Sequence, residues 1–166
     1  MDTEYFRRLS KYLFLSSALV LGLTACSGNR PQNLGVTDGR FTQCPASPNC
    51  VSSFDLDAEH GFPVYKVDGD TKEVWQAVRT AVLQIERSEI IFESSNYLHV
   101  EVTSFLMGYV DDVQIYFSAE NGDLFFYSAS RLGYSDLGVN RKRMSALVEH
   151  IKGAGIKLTP NMLNPK

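Results

Sequence analysis

Asn121-Gly122 separates two runs in which apolar and polar residues alternate, 110–120 and 123–131. This arrangement predicts an antiparallel hairpin, because Asn and Gly accept the positive φ angles of a type I′ turn at little cost. A two-residue turn sets the register, so that Glu120 faces Asp123, Phe117 faces Phe126, Val113 faces Ser130 and Asp112 faces Arg131. Successive side chains of a strand point to opposite faces. Val113, Ile115, Phe117, Leu124 and Phe126 therefore share a core face, and Asp111 shares it with them. Tyr116, Phe125 and Tyr127 fall on the other face, which is unusually aromatic for a solvated surface. That face expects a cover, or serves as a surface for a partner or an amphiphile.

The remaining elements follow from periodicity. Val64–Val67 reads as a short strand. Asp70 followed by Glu73 reads as a helix start, and Val74, Ala77, Val78, Ala81, Val82 and Ile85 recur at helical spacing to about Arg87. Ile90–Glu93 and Tyr97–Thr103 read as strands around a Ser94-Ser95-Asn96 turn. In the second of these, Leu98, Val100 and Val102 alternate with outward His99, Glu101 and Thr103. A last helix spans about Leu137 to Lys152, with Leu137, Met144, Leu147, Val148 and Ile151 as its stripe and Gly153 and Gly155 at its end. The order strand, helix, four strands, helix predicts a single α+β domain. Its expected form is a four- to five-stranded antiparallel sheet with two helices packed on one face.

The N-terminus predicts export. Arg7, Arg8 and Lys11 precede an apolar run from Tyr12 to Leu23, the layout of a secretory signal. The run is shorter than the roughly 20 apolar residues that span a bilayer. Leu23-Thr24-Ala25-Cys26 resembles a bacterial lipoprotein box, in which the thiol is acylated and becomes the new N-terminus; the alternative is an uncleaved membrane anchor. The address is then the cell envelope, with the chain lipid-anchored. Ser27, where an Asp would mark inner-membrane retention, points to an outer membrane facing the periplasm if the cell is Gram-negative.

Residues 1–25 hold three cations and two carboxylates, so their removal leaves 13 basic and 17 acidic residues, a net charge of −4. A nucleic-acid binder would show a basic excess, and no nucleic acid is expected as a partner. About 140 remaining residues suit one domain. Residues 26–40, rich in Gly, Asn and Pro with little to bury, read as a flexible tether reaching at most about 45–50 Å. The domain is expected over 41–156 and a loose tail over 157–166.

Cys44 and Cys50 enclose Pro45 and Pro48. In an oxidising compartment this spacing favours a small disulfide loop. A metal site would need four good ligands, while His60, His99 and His150 lie far apart in sequence. A redox pair would prefer Cys-x-x-Cys. No metal or cofactor is expected. Ser52, Ser53, Ser128, Ser130 and Ser135 lie in no nucleophile elbow or phosphate loop, so no catalytic residue is assigned. His99 and His150 are expected at the surface, and Trp75 in packing.

Charged residues that could meet lie between 111 and 143. Asp112 opposite Arg131 predicts a cross-strand pair. Asp111, on the core face, needs a partner, and Arg141, on or near the stripe of the last helix, is the expected one. Asp136 is the expected N-cap of that helix. Ser130, Arg131, Asn140, Arg141 and Arg143 would then gather around a helix N-terminus. They form either an anion-binding site or an internal ion-pair lattice with Asp111, Asp112 and Asp136.

Three stretches carry a resemblance. They are Leu34-Gly35…Asp38-Gly39-Arg40…Cys44-Pro45-Ala46-Ser47-Pro48-Asn49-Cys50-Val51-Ser52-Ser53, then Tyr109-Val110-Asp111-Asp112-Val113, then 128–141, Ser-Ala-Ser-Arg-Leu-Gly-Tyr-Ser-Asp-Leu-Gly-Val-Asn-Arg. Over roughly 34–152 the chain resembles the exported bacterial and plastid family called domain of unknown function 1499. The resemblance implies no established reaction or cofactor. Two functions follow as expectations. One is a non-enzymatic binding or structural module at the membrane surface, with an envelope protein or an amphiphile as partner. The other is an enzyme or lipid- and anion-handling protein that uses the Asp111/Asp112/Arg131/Arg141 cluster.

Overall fold

The computed structural model describes residues 27–161. Residues 1–25, expected as a signal segment, Cys26 and residues 162–166 lie outside the described residues. The described chain runs β1 (Cys50–Ser52), β2 (Val64–Asp68), α1 (Thr71–Val82), β3 (Ser88–Glu93), β4 (Tyr97–Thr103), β5 (Val110–Ser118), β6 (Asp123–Ser130), α2 (Val139–Gly153) and β7 (Lys157–Asn161). All pairings are antiparallel, in the order β3-β4-β5-β6-β2-β7. β6 shares its second edge between β2, at Asp123 and Leu124, and β1, at Tyr127–Ala129.

The sheet thus has seven strands rather than four or five. The two additions are elements with no periodicity to read. β1 is three residues long, and β7 holds Pro160 at the sheet edge, where a missing N–H is tolerated. Residues 157–161, expected in a loose tail, are this edge strand.

The central hairpin forms with its faces as expected but its register displaced by two. Ser118 faces Asp123, Phe117 faces Leu124, Ile115 faces Phe126, Val113 faces Ser128 and Asp112 faces Ala129. The connection is four residues long, closed by Gly122 N–H donating to the Ser118 carbonyl at 2.8 Å, with Gly122 at φ +64°. An even displacement keeps every side chain on its face.

α1 starts where Asp70 accepts N–H bonds from Lys72 and Glu73. It ends at Val82, earlier than its stripe suggested. α2 starts at Val139 because Leu137 (φ +56°) and Gly138 (φ +77°) are left-handed. Leu137 is consequently exposed instead of joining the stripe. Asp136 still serves the helix start, its carboxylate accepting from Gly138 N–H at 2.9 Å and Asn140 N–H at 2.7 Å. Both helices bury their stripes on one face, against Val100, Val113, Ile115, Leu124 and Phe126.

The aromatic second face is covered by the chain itself. Phe54 stacks on Phe125 at 4.6 Å, Phe41 meets Phe54 edge-on at 5.5 Å, and Arg40 lies over the Phe54 ring. The face around Tyr116, Phe125 and Tyr127 is therefore a second small core and not a free surface for a partner or an amphiphile. Cys44 and Cys50 are joined by a disulfide, Cα–Cα 5.7 Å, which closes the loop entering β1. The described part of 26–40, expected as a flexible tether, is laid along the sheet: Gly35 N–H donates to Gln114 Oε1 at 2.7 Å, and Arg30 Nε to Glu101 Oε1 at 2.5 Å. Among the described residues no helix is long and apolar enough to cross a membrane.

Candidate functional site

The expected charge cluster splits into two, one on each face of the sheet, because Asp111 and Asp112 are consecutive on β5 and point oppositely. On the face covered by the N-terminal segment, Arg131 grips Asp112 with both ends of its fork, Nε to Oδ2 and Nη2 to Oδ1, each 2.8 Å. The same Nη2 donates to Glu101, which also accepts from Arg30. His99 Nε2–H donates to Asp112 Oδ1 at 2.8 Å. The Asp112 and Arg131 side chains are 2% and 6% exposed.

This environment decides the charges. Burial works to raise the Asp112 pKa, but the hydrogen bonds and charges of Arg131 and His99 outweigh it and leave the group below its ordinary value. Glu101 is likewise lowered: burial opposes, and Arg30 and Arg131 prevail. Arg131 is raised, chiefly by its hydrogen bond to Asp112. Burial first, then the negative charges of Asp112 and Asp55, pushes Tyr127 up to about 12.

On the helix face, Asp111 meets Arg143, not Arg141: Arg143 Nη2 donates to Asp111 Oδ2 at 2.6 Å. Arg143 Nη1 also reaches Asn140 Oδ1 at 2.6 Å and Ser128 Oγ at 3.1 Å. Asn140 is fully buried. Its Oδ1 accepts from Ser128 Oγ at 2.5 Å, and its Nδ2 donates to Ser130 Oγ at 3.0 Å and to the Asn49 carbonyl at 2.9 Å. One amide thus ties α2, β6 and the turn before β1 together.

Arg141 belongs to neither group. It donates to the carbonyls of Glu59 and Gly61, both at 2.8 Å, holding the 55–62 loop to α2. Only glycine fits at 61, since a side-chain carbon there would lie 2.6 Å from the Asp57 carbonyl oxygen.

His99 corrects a second expectation. It points away from the main core as its alternation requires, yet it is buried, because the face it points to is covered. His99, Glu101 and Asp112 offer three donor atoms within 4.8 Å of one another, a spacing compatible with a metal ion. Arg131 already bridges both carboxylates and supplies the positive charge an ion would bring. His99 also lines an open groove of about 410 Å³ with Leu34, Gly35, Val36, Phe92 and Tyr97. Tyr97 O–H donates to Gln114 Oε1 at 2.8 Å, while the buried Gln114 Nε2 has no partner among the described residues. His60 sits near Asp57 Oδ1 at 3.0 Å, and His150 contacts Gln84; neither approaches this group. Ser52, Ser53 and Ser128 are buried.

His99, Glu101, Gln114 and Tyr97 are the participants that periodicity alone overlooks. The signal that exposes them is the aromatic second face, since a covered face also buries its polar neighbours.

A family model described as a protein of unknown function (DUF1499) matches residues 40–151, more than half of the chain. The chain belongs to that family. No curated protein sequence matches it.

Proposed function

We propose that this chain is a lipid-anchored protein of the bacterial cell envelope, acylated at Cys26, whose folded domain is a non-enzymatic binding or structural module at the membrane surface. The observation that carries the non-enzymatic part is the closure of the charged groups. Asp112, Glu101 and Arg131 satisfy one another on one face, and Asp111, Arg143, Asn140, Ser128 and Ser130 do so on the other. A buried, mutually paired lattice locks β5, β6 and α2 together and offers no vacant charge to a substrate. Anchoring draws its support from the sequence: a charged start, a short apolar run and Leu23-Thr24-Ala25-Cys26. If the envelope is Gram-negative, Ser27 favours the outer membrane.

The test of this reading is fractionation of cells expressing the full chain. Wild type is expected in the membrane fraction at mature size and Cys26→Ser either in the soluble fraction or as the longer precursor; the same size and the same fraction for both would overturn acylation at Cys26.

The second reading, chemistry on an anionic or lipid substrate, cannot use Arg141, which lies elsewhere. It keeps one observation of its own. His99 is oriented by Asp112 through Nε2, and its Nδ1, which has no hydrogen-bond partner among the described residues, belongs to a ring that lines the groove. Calorimetric titration with decanoate tests it. Binding that is lost in His99→Phe at unchanged melting temperature favours this reading, and absence of binding removes it.

A further inference from the structure

The ends of β4, β5 and β6 that carry the charged lattice also carry two loops whose apolar side chains face outward. In the 104–109 loop Phe105, Leu106 and Met107 are 78%, 86% and 56% exposed; in the 131–138 loop Leu132, Tyr134 and Leu137 are 40%, 76% and 86% exposed. The loops are neighbours, since Thr103 pairs with Val110, Asp111 with Ser130, and Arg131 N–H donates to the Val110 carbonyl at 3.1 Å. Two clusters of exposed apolar groups at one end of a domain are more than the scattered single residues of an ordinary surface.

The beginning of the described chain lies on the same end. A side-chain carbon added at Gly28 would sit 3.0 Å from Arg131 Cβ and 3.1 Å from Leu132 Cγ. Cys26 is two residues earlier, and covalent geometry keeps its Cα within about 7 Å of that of Gly28. An acyl group on Cys26 would therefore enter its bilayer beside Leu132.

Charge is compatible with that setting. Residues 104–109 contain no acidic side chain. The one carboxylate of 131–138, Asp136, is turned to backbone N–H groups. Arg87 lies over the Phe105 ring at 5.4 Å and donates to the Thr103 carbonyl and to the exposed Glu86 carboxylate at 3.2 Å, so the edge of the apolar tip carries an ion pair and no net charge. Aromatic and long cationic side chains together suit the headgroup layer, where the apolar part sinks and the charged part stays wet.

We propose that this end of the domain is a membrane-contact face. Phe105, Leu106 and Met107, with Leu132, Tyr134 and Leu137, seat in the interfacial layer of the bilayer that holds the acylated Cys26. The proposal rests on the anchoring reading above and adds an orientation to it: the sheet stands with the ends of β4–β6 on the membrane and the 119–122 turn away from it.

The test uses the full, acylated chain in vesicles of phosphatidylethanolamine and phosphatidylglycerol, with a polarity-sensitive fluorophore attached at Leu106→Cys, Leu137→Cys or Glu120→Cys. The Cys44–Cys50 disulfide and acylation of Cys26 leave the new thiol as the one labelled. Nitroxide lipids are expected to cause a loss of emission at 106 and 137, with a blue shift on vesicle binding, and aqueous iodide to quench only 120. Iodide quenching at 106 and 137 equal to that at 120, or protection from both quenchers by a protein cover, overturns the membrane face. Intact mass of the same sample separates the two failures. An acylated chain with exposed loops leaves anchoring standing and removes the face, whereas an unacylated chain removes both. These loop positions are exposed, so a melting curve matching wild type is expected for each variant.

Discussion

Arg131 holds two carboxylates with one guanidinium, and Asp112, 2% exposed, has almost no water to fall back on. Removing one partner of a buried, hydrogen-bonded pair leaves the other charge stranded, at a cost of about 3–5 kcal/mol. Arg131→Ala is therefore expected to lower the melting temperature sharply, measured by circular dichroism. An unchanged melt would mean that the lattice is not structural. The pH dependence has a definite sign. Asp112 and Glu101 are held below their ordinary values of 3.8 and 4.5, so their stabilisation is complete above that range and is lost as pH falls through the lower folded-state values. Urea midpoints of wild type should decline below about pH 4.5. In Arg131→Ala, only His99 still opposes the effect of burial on Asp112, and the acid decline should become shallower. The Asp112–Arg131 pair was legible from the hairpin despite the wrong register, because a two-residue displacement preserves faces and a long arginine just past the strand reaches back. The expected Asp111–Arg141 pair fails although the helix stripe Met144, Leu147, Val148 and Ile151 is the expected one. Residues two apart on a helix point to nearly opposite sides, so Arg143 reaches Asp111 while Arg141 reaches the carbonyls of Glu59 and Gly61.

At the scale of elements, the strands and helices with clear alternation or helical stripes could be read, and their faces with them. What could not be read was set by contacts distant in sequence: β1 has three residues, β7 includes a proline, and neither shows its partner locally. The cover over the second face depends on the Cys44–Cys50 loop and on Asn140. Closing a loop of about seven residues contributes roughly 2–2.5 kcal/mol by the chain-entropy estimate. Reduction under native conditions should lower the unfolding free energy read from urea titration by about that amount and loosen amide protection first in 41–54; a global loss without that order would contradict the assignment. Asn140→Leu leaves the buried Ser128 hydroxyl without its acceptor and takes one donor each from Ser130 Oγ and the Asn49 carbonyl, an unmet buried group costing about 1–3 kcal/mol. Its expected signature in hydrogen exchange is faster opening of α2 and of the turn before β1, with β3 and β4 unaffected.

For the whole molecule, the covered second face changes the meaning of the sequence. A Gly- and Asn-rich start that looks like a linker is, in its described part, a strap along β4–β6, and the polar residues beneath it are interior. The site was therefore only half legible: its charges were visible one by one, but their division between two faces and the burial of His99 needed the strap in place. The strap also brings Gly28 beside Arg131 and Leu132, so the attachment proposed at Cys26 would lie close to that end of the sheet. The central claim is that this attachment is a lipid. The most direct measurement is the intact mass of the protein expressed as the full chain and extracted from cell membranes. The account predicts loss of residues 1–25 and an added acyl mass on Cys26. A full-length precursor with an unmodified Cys26 thiol, recovered from the soluble fraction, would contradict it.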